Sequence, residues 1–596
     1  MESQPREPET SITPLSNPTS VAFAADSNVG TPKTQTPSIT VREPSLPGIE
    51  SSGLTPKAWG ILIGYTATLF FLFLGPARSF TAHEGLVVEV AQEMIDTGDW
   101  LVPRIAGNPF PEKFPLHYWA VAALGSITGD VNEFVARIPS ALCGLGGVLL
   151  IAGLIGKWFG STKGLITGLI QTTTVYTVTY SRLAECDIYL WFVVIAALVV
   201  YARNIVTPEP TRWYSGRMAF FFLLGLVQLI KGPLFGAVLI MIPTGGYAFY
   251  QDIRGNWKPV LWFCSVPGWI VTVMLATGWP LAVWWSHPEV IDIWWLHTFG
   301  RFNPETCIGV RPWWYYFTTM PWQMSPWTLA MFLGMPRSLY RLWKNDPAPD
   351  RFLWMWFGGM FCVLSAVTGK HHHYLLHAMP PCAFFASEGL LGLTKRRLLP
   401  RTWYWALPYG LAVCGWIGFL AVARTGELAT FWWDVLILGI VGLAFLAGIL
   451  WSYQQQRHQL SGILMFAILW MIAGYVHGVI VPKADNYRFD NALLRRLSAK
   501  SEQTPVLMFQ FFPMRELAYI DSPVIPCDSI EALKAKTNEY PRALILTSKD
   551  KEPLLAQFGT PIIVDQTPGP RPGQEGPRAH LVIYRIEWAN VTTEQH

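Results

Sequence analysis

Charged residues are scarce in this chain. They make up 14% of its 596 residues, whereas a soluble protein of this size has roughly 25%. With 51% hydrophobic residues and a positive mean hydropathy, this shortage excludes an ordinary soluble globular protein. The net charge of +4 is small and mixed, so nucleic-acid binding has no electrostatic support. The eight cysteines form no Cys-x-x-Cys pair, which excludes the common zinc and thiol-redox motifs.

We also expect no cleavable signal peptide. Residues 1–56 are rich in Ser, Thr, Pro, Asn and Glu and poor in large apolar side chains, which predicts a disordered tail. The first apolar run, Trp59–Leu74, starts too far along the chain for an ordinary signal sequence. We therefore expect it to be a signal anchor that leaves the tail in the cytoplasm.

Long apolar runs dominate residues 57–482. A bilayer core needs roughly 20 apolar residues as a helix, which gives about 13 candidate spans. Their approximate centres are residues 67, 148, 171, 195, 223, 240, 268, 322, 360, 381, 412, 440 and 470. Lys231-Gly232-Pro233 separates the spans near 223 and 240 and predicts a break between two helices. The expected fold is an all-α polytopic membrane domain with external loops at 76–136 and 284–314.

Basic residues predict the orientation of the chain. Lys and Arg concentrate in alternate loops, which places the N terminus in the cytoplasm and the C terminus outside. The external side keeps single basic residues, namely Arg104, Lys113, Arg137, Arg182, Lys231, Arg301, Arg311 and Lys370. Because positive charge on that side opposes the orientation rule, an anionic ligand is the expected reason for it.

The first external loop contains an amphipathic helix. Val87, Val90, Ala91 and Met94 recur at helical spacing, and Gly98 predicts the end of the helix. Such a helix is expected to lie along the membrane surface.

Residues 483–596 change character and predict a small extracytoplasmic α/β domain. Predicted strands are Val506–Phe511, Ala543–Leu546, Pro561–Val564 and Leu581–Tyr584, and predicted helices are Asp528–Lys536 and Glu552–Phe558. The region has neither a glycine-rich phosphate loop nor a metal motif, so we assign it no catalytic role.

A series of motifs in a fixed order gives the chain a family resemblance. They are His83-Glu84, Glu93-Met94, Gly98-Asp99-Trp100, Pro103-Arg104, Glu112-Lys113, Ala136-Arg137-Ile138-Pro139-Ser140, Arg182 with Asp187, Lys231-Gly232-Pro233, Gly300-Arg301-Phe302, Trp313-Trp314-Tyr315-Tyr316 and Gly369-Lys370 with Tyr374. The chain resembles the GT-C membrane glycosyltransferases, in particular the lipid A aminoarabinose transferase and protein O-mannosyltransferase-like enzymes, over roughly residues 60–485.

The resemblance implies a GT-C fold and an activity. Enzymes of this family take a sugar from a polyprenyl-phosphate donor at the outer face of the membrane. The expected protein is therefore a multi-pass enzyme of a bacterial-type inner or plasma membrane. The acceptor is a lipid, a protein hydroxyl or a cell-wall glycan.

The resemblance also implies catalytic carboxylates. The family's first loop begins with Asp-Glu, whereas this chain has His83-Glu84. Transfer needs a general base to activate the acceptor, so Glu84 is the first candidate base and His83 its competitor. Asp187 is a further candidate, which fixes a cation, orients the acceptor or pairs with Arg182.

Candidate phosphate ligands are spread along the chain. Negative charge grows on the leaving phosphate and calls for cations. Lys113, Arg301 and Lys370 match the family's positions, and Tyr374 would donate a hydrogen bond. The alternative for each cation is that its charged end reaches the membrane interface.

Glu112 and His297 raise the question of a divalent metal. Some relatives place an ion between the corresponding residues, but a zinc site normally has three or four protein ligands. The run His371-His372-His373 with His377 is better explained as an interfacial patch, because neighbouring residues on a helix point in different directions. At most one of them would face the site.

Two other functions remain open. The number of spans suits a transporter or flippase of a lipid-linked or anionic substrate, but the sequence shows no internal repeat with paired broken helices. Because fold does not imply function, a GT-C-like scaffold without activity is the other alternative.

Overall fold

The computed structural model describes most of the chain from residue 53 onwards. The described residues are 53–75, 77–208, 213–232, 234–298, 309–395, 410, 412–415, 417, 431–485, 493–494, 497, 505–510, 517–520, 522–557, 559–567 and 580–588. The tail predicted at 1–56 falls almost wholly outside these ranges, and so does Arg301.

The region between residues 53 and 485 is helical, as predicted. Its α-helices are α1 (Pro56–Phe71), α2 (Ala82–Thr97), α3 (Leu116–Thr128), α4 (Glu133–Phe159), α5 (Ser161–Thr173), α6 (Val175–Ser181), α7 (Cys186–Tyr201), α8 (Trp213–Leu226), α9 (Gln228–Lys231), α10 (Phe235–Ile253), α11 (Lys258–Leu261), α12 (Val266–Ser286), α13 (Val290–Thr298), α14 (Tyr315–Gln323), α15 (Thr328–Asn345), α16 (Ala348–Ala366), α17 (Met379–Lys395), α18 (Trp432–Gln454), α19 (His458–Tyr475) and α20 (Val481–Asp485). Every predicted span centre lies on a helical residue.

The chain is a polytopic membrane protein. Within the described residues, six helices are long and apolar enough to cross a bilayer. They are Glu133–Phe159, Cys186–Val206, Trp213–Lys231, Val266–Ser286, Trp432–Gln454 and His458–Asp485. Several other helices are shorter than the roughly 20 residues that a straight crossing needs. The predicted count of about 13 spans is not confirmed and stays a prediction.

Two predicted helix ends are confirmed. Helix α2 ends at Gly98, whose φ of 69° is left-handed, a conformation that glycine adopts without steric cost. Helix α9 ends at Lys231 and α10 begins at Phe235. The Lys-Gly-Pro segment therefore separates two helices, as its sequence predicts.

A buried carboxylate fastens the start of α2 to α4. Glu84 Oε1 accepts a hydrogen bond from Arg137 Nε at 2.8 Å, and Glu84 Oε2 accepts one from Arg78 Nη2 at 2.9 Å. Glu84 Oε2 also accepts from the backbone N–H of Thr81, which completes a capping box. Burial alone would raise the pKa of Glu84, but Arg137 and Arg78 outweigh it and hold the pKa at about 2.

Two arginines bind the backbone carbonyls in the last turn of α1 and in the segment after it. A helix leaves its last four carbonyls without partners inside the helix. Arg182 donates to the carbonyls of Leu69, Phe70 and Phe73, and Arg137 donates to those of Leu74, Gly75, Arg78 and Ser79. These two external cations bind backbone oxygens, so a ligand is not needed to explain their charge.

Helices α15 and α17 pack backbone to backbone through two glycines. A Cβ atom on Gly334 would lie 1.7 Å from the carbonyl oxygen of Phe385, and one on Gly389 would lie 1.8 Å from that of Ala330. Near this contact, Arg341 binds Asp350 at 2.7 Å and Glu388 at 2.6 Å. Helix α17 directly follows the 3-10 turn His372–Ala378, so this contact supports a segment that carries candidate site residues.

The C-terminal region contains the predicted α/β domain. Strands β3 (Val506–Phe509), β4 (Val524–Cys527), β5 (Leu544–Ser548), β6 (Gly559–Gln566) and β7 (Leu581–Trp588) form a mixed sheet of order β4-β3-β5-β7-β6, with helices α21 (Ile530–Glu539) and α22 (Glu552–Leu555). A short hairpin in the first external loop supplies β1 (Arg104–Ile105) and β2 (Asn108–Pro109). The four predicted strands are confirmed with shifted ends, and β4 was not predicted.

The C-terminal domain contacts the chain just before α2. The hydroxyl of Tyr519 accepts a hydrogen bond from the Phe80 N–H at 2.7 Å and donates to Glu133 at 3.2 Å. Asp485 accepts from the backbone N–H of Ser79 at 3.0 Å. The segment that leads into His83 and Glu84 is thus held between α4 and the end of the chain.

Replacing Arg137 by Met should destabilise the protein strongly. Removing one partner of a buried ion pair leaves an uncompensated charge, which costs about 3–5 kcal/mol. We expect a clear fall in the thermal unfolding midpoint in detergent. The control is Arg104→Met, whose partner Asp99 is 33% exposed and whose loss should cost at most about 1 kcal/mol. Equal midpoints for the two variants would contradict the anchoring role of Arg137.

Adding one methyl group at Gly334 should force α15 and α17 apart. Overpacking of this kind costs about 1–3 kcal/mol, and we expect Gly334→Ala to unfold at a lower temperature than the parent. Gly358, in α16, has no atom within 4 Å of the position a Cβ would take, so Gly358→Ala is the matched control. A Gly334→Ala variant as stable as this control would show that the two helices do not pack this closely.

Candidate functional site

An ion pair between the buried Asp187 and the half-buried Lys231 forms the centre of the candidate site. Asp187 lies in the first turn of α7, and Lys231 is the last residue of α9. Lys231 Nζ donates to Asp187 Oδ1 at 2.6 Å. His373 Nε2 lies 3.6 Å from Asp187 Oδ1 and 3.4 Å from Lys231 Nζ, and the ring of Tyr374 faces Lys231 Nζ at 4.7 Å. Two helix ends and the turn at 372–378 therefore meet at one point.

Residues of the first external loop approach this pair. Burial lowers the pKa of His83 and Lys113 lowers it further, whereas Asp187 and Glu112 raise it. These influences place His83 within electrostatic range of Lys113, Glu112 and the Asp187–Lys231 pair. Lys113 is half-buried, and within the described ranges its ammonium has no hydrogen-bond or ion-pair partner. The site thus offers one cation that is not already neutralised by a neighbour.

Glu84 lies behind this cluster. Its side chain is fully buried, and both oxygens accept hydrogen bonds, one of them from the backbone N–H of Ala184 at 3.1 Å. Ala184 precedes α7 by two residues. The predicted first choice of base is therefore a link between the loop before α2 and the start of α7. Its catalytic role is not tested by these contacts and is reconsidered below.

The other predicted site residues fall at different places in the structure. Tyr374 joins the cluster through Lys231, as described above. Lys370 is 4% exposed, and its ammonium donates to the carbonyl of Arg311 at 3.2 Å and to that of Val367. Arg301 lies outside the described residues, and His297 falls in α13, where only its backbone is described. Of the nine predicted residues, Asp187 and Tyr374 lie beside Lys231, and His83 lies within electrostatic range of Lys113, Glu112 and Asp187.

The predicted divalent metal is not tested by the residues that the structure describes. Within these ranges, no group of three or more His, Cys, Asp and Glu side chains could hold a metal ion. Glu112 is half-buried at the site, but one or two ligands are fewer than the three or four of a zinc centre. The divalent ion stays a prediction, and no chemical step is derived through it.

Sequence reasoning noted Lys231 and His373 but assigned neither of them a specific role in the site. Lys231 was treated as part of a helix break, although the Lys-Gly-Pro motif belongs to the family resemblance. His373 is the member of the histidine run whose Nε2 lies 3.6 Å from Asp187 Oδ1, and the prediction that at most one of these histidines would face the site stays a prediction. Their distance along the chain from Asp187 explains the omission, since a pair 44 residues apart has no local signal.

The cluster can bind an anion, because it holds positively charged side chains at fixed positions. Lys231 is held by Asp187, so it contributes a fixed positive charge at a half-buried position. Lys113 is available to a negatively charged group that enters from the loop side. Cations placed in advance at a buried site stabilise charge that grows on a leaving phosphate.

The central part of the chain matches a known family. Residues 109–284 match the family described as dolichyl-phosphate-mannose-protein mannosyltransferase. This segment includes Glu112, Lys113, Asp187 and Lys231, so most of the cluster lies inside the match.

Curated relatives are arabinosyl transferases. The undecaprenyl phosphate-alpha-4-amino-4-deoxy-L-arabinose arabinosyl transferase of Aeromonas salmonicida is 27% identical over 343 residues, covering 55% of this chain and 59% of that protein. The enzyme of the same name from Shewanella sediminis is 26% identical over 344 residues, covering 55% of this chain and 59% of that protein. The chain thus spans about 59% of the length of these relatives.

A solved structure shares the fold. ArnT from Cupriavidus metallidurans, in a crystal structure bound to undecaprenyl phosphate, aligns with a TM-score of 0.70 at 18% identity, covering 89% of this chain and 99% of that one. At this identity the likeness shows the fold alone. The family match and the shared fold confirm that this chain resembles the GT-C membrane glycosyltransferases, as the order of its motifs predicts.

Proposed function

We propose that this protein is a membrane glycosyltransferase that moves a sugar from a polyprenyl-phosphate donor to a lipid, protein or cell-wall glycan at the extracytoplasmic face. The observation that carries the proposal is the half-buried Lys113, whose charge acts on His83 together with the Asp187–Lys231 ion pair. A phosphodiester would supply the negative charge with which the Lys113 ammonium can pair. The named relatives use an undecaprenyl-phosphate sugar, which agrees with this choice of donor.

Lys113 is the proposed contact to the donor phosphate. When the bond between the sugar and the phosphate breaks, the phosphate gains negative charge, and a nearby ammonium stabilises the transition state more than the ground state. Lys231 adds a second positive charge and is kept in place by Asp187 at 2.6 Å. Arg301 and Lys370 remain proposed phosphate ligands, and for Lys370 this requires release of its two carbonyl partners.

Glu84 is proposed to position the site rather than to act as its base. Both of its oxygens are engaged by Arg137, Arg78 and backbone N–H groups. If Glu84 took a proton from the acceptor, its carboxyl group would lose some of these contacts at a buried position. At the position of the family's first carboxylate this chain has His83, which is exposed. Glu84, its neighbour, is fully engaged, and Asp187 is paired with Lys231. None of these positions therefore supplies a free carboxylate.

The C-terminal domain is proposed to lie on the extracytoplasmic side. Tyr519 of this domain binds Phe80 and Glu133, at the two ends of the first external loop. A domain that contacts this loop lies on the same side of the membrane. This supports the orientation predicted from the basic residues, with the N terminus in the cytoplasm.

The position of the charges argues against a carrier. Asp187 and Lys231 lie at the ends of α7 and α9, whereas transporters of known design bind their substrates near the middle of the bilayer. An uptake assay in sealed vesicles checks this alternative directly.

Lys113→Ala should abolish use of the donor. The purified protein in proteoliposomes is supplied with undecaprenyl-phosphate aminoarabinose or dolichyl-phosphate mannose, labelled in the sugar, and a total envelope extract as acceptor. We expect wild type to release or transfer label and Lys113→Ala to lose at least about 100-fold in kcat/KM, as for the loss of a transition-state contact.

Arg104→Ala is the control for charge, because Arg104 belongs to the same loop and is paired with Asp99. It should keep near wild-type turnover. Label release by Lys113→Ala at the rate of this control would refute the phosphate contact. No turnover by wild type with either donor would refute the proposed use of these donors.

A further inference from the structure

The carboxylates around the site differ in how many hydrogen-bond and ion-pair partners they already have. Glu84 binds two arginines and two backbone N–H groups, and Asp187 is paired with Lys231 at 2.6 Å. A third carboxylate, Glu185, lies between them in the chain. Among the described residues it has no ion pair, and its shortest hydrogen bond is a long one of 3.5 Å from the Thr81 hydroxyl. Glu185 is therefore a carboxylate with unused accepting capacity.

The backbone around Glu185 is held rigidly. Glu84 Oε1 accepts from the N–H of Ala184 at 3.1 Å, immediately before Glu185. Asp187, immediately inside α7, is fixed by Lys231. Glu185 is half-buried, whereas Ala184 and Cys186 on either side are buried. The two occupied carboxylates thus fix the segment from both sides and leave the Glu185 side chain as its accessible member.

Glu185 also lies within electrostatic range of Lys113, the proposed phosphate contact. Lys113 is near enough to lower the pKa of Glu185, although burial, Asp187 and Glu84 act more strongly and raise that pKa to about 7. A carboxylate of this pKa exchanges a proton readily at neutral pH, as a general base must. The charged or titratable groups that act on Glu185 or feel its charge are Asp187, Glu84, Lys113, Arg78, Cys186 and Tyr180.

We propose that Glu185 is the general base of the transfer reaction. Its carboxylate removes the proton from the acceptor's O–H or N–H, and the freed electron pair forms the new bond to the anomeric carbon. The bond between that carbon and the phosphate oxygen breaks, and the polyprenyl phosphate leaves with the electron pair beside Lys113. Glu185 then releases its proton to water. This role rests on the proposed function, and it makes Glu84 a positioning residue that sets the place of Glu185.

The test compares Glu185→Gln with Glu89→Gln. Glu89, in α2, is a second carboxyl whose pKa burial and Glu93 raise to about 7, and it has no part in the proposed site. In the labelled-donor assay, Glu185→Gln should lower kcat by about 10²–10⁴-fold, the usual contribution of a general base. Glu89→Gln should keep the wild-type rate.

Wild-type kcat should rise with pH through about 7, because the base must be ionised. The residual rate of Glu185→Gln should not change with pH through neutrality.

Binding of undecaprenyl phosphate separates loss of chemistry from loss of folding. Native mass spectrometry should show that Glu185→Gln retains this lipid as wild type does. If wild type transfers sugar and Glu185→Gln does so at the same rate with the same pH profile, the role of Glu185 is overturned. The proposed function is not affected by that result. A Glu185→Gln variant that fails to bind the lipid would overturn it as well, because a base is not required for donor binding. A wild type without turnover on any donor overturns the proposed function and this role together.

Discussion

The arrangement of the site depends on one buried carboxylate that must not be left unpaired. An isolated ion taken from water into a protein interior costs several kcal/mol, so Glu84 is stable only with partners around it. These partners come from the loop before α2, from α4 and from the start of α7. Because one side chain meets all three, it fixes the relative positions of segments that are far apart in the sequence. Asp187 and Lys231 repeat this arrangement between α7 and α9.

Much of the fold follows from local patterns. Apolar runs place the helices because the length of a bilayer crossing is set by lipid, and all predicted span centres are helical. Gly98 ends α2 because it adopts a left-handed conformation without strain. Strand β4 escaped prediction for an equally physical reason. It has four residues, contains Pro526 and lies at the edge of its sheet, where a proline is tolerated although it weakens the sequence signal.

The roles of charged residues were harder to predict. The sequence predicts that Glu84, Arg137 and Arg182 lie on the external side, but it does not predict that Arg137 and Arg182 bind backbone carbonyls 58–113 residues away. Burial and long-range partners decide whether a charge is structural or available for chemistry. Lys113 and Glu185 are available in this sense, while Glu84 is occupied. The family resemblance identified the right region of the chain, and the contacts then distinguish the residues within it.

The central claim is that Lys113 and the Asp187–Lys231 pair receive the phosphate of a lipid-linked sugar. A cryo-electron microscopy structure of the protein with bound undecaprenyl phosphate tests this most directly. The account predicts phosphate density within hydrogen-bond distance of Lys113 Nζ and close to Lys231, with Glu185 facing the space beside the phosphate. A phosphate bound away from the start of α7, with Lys113 directed elsewhere, would contradict it.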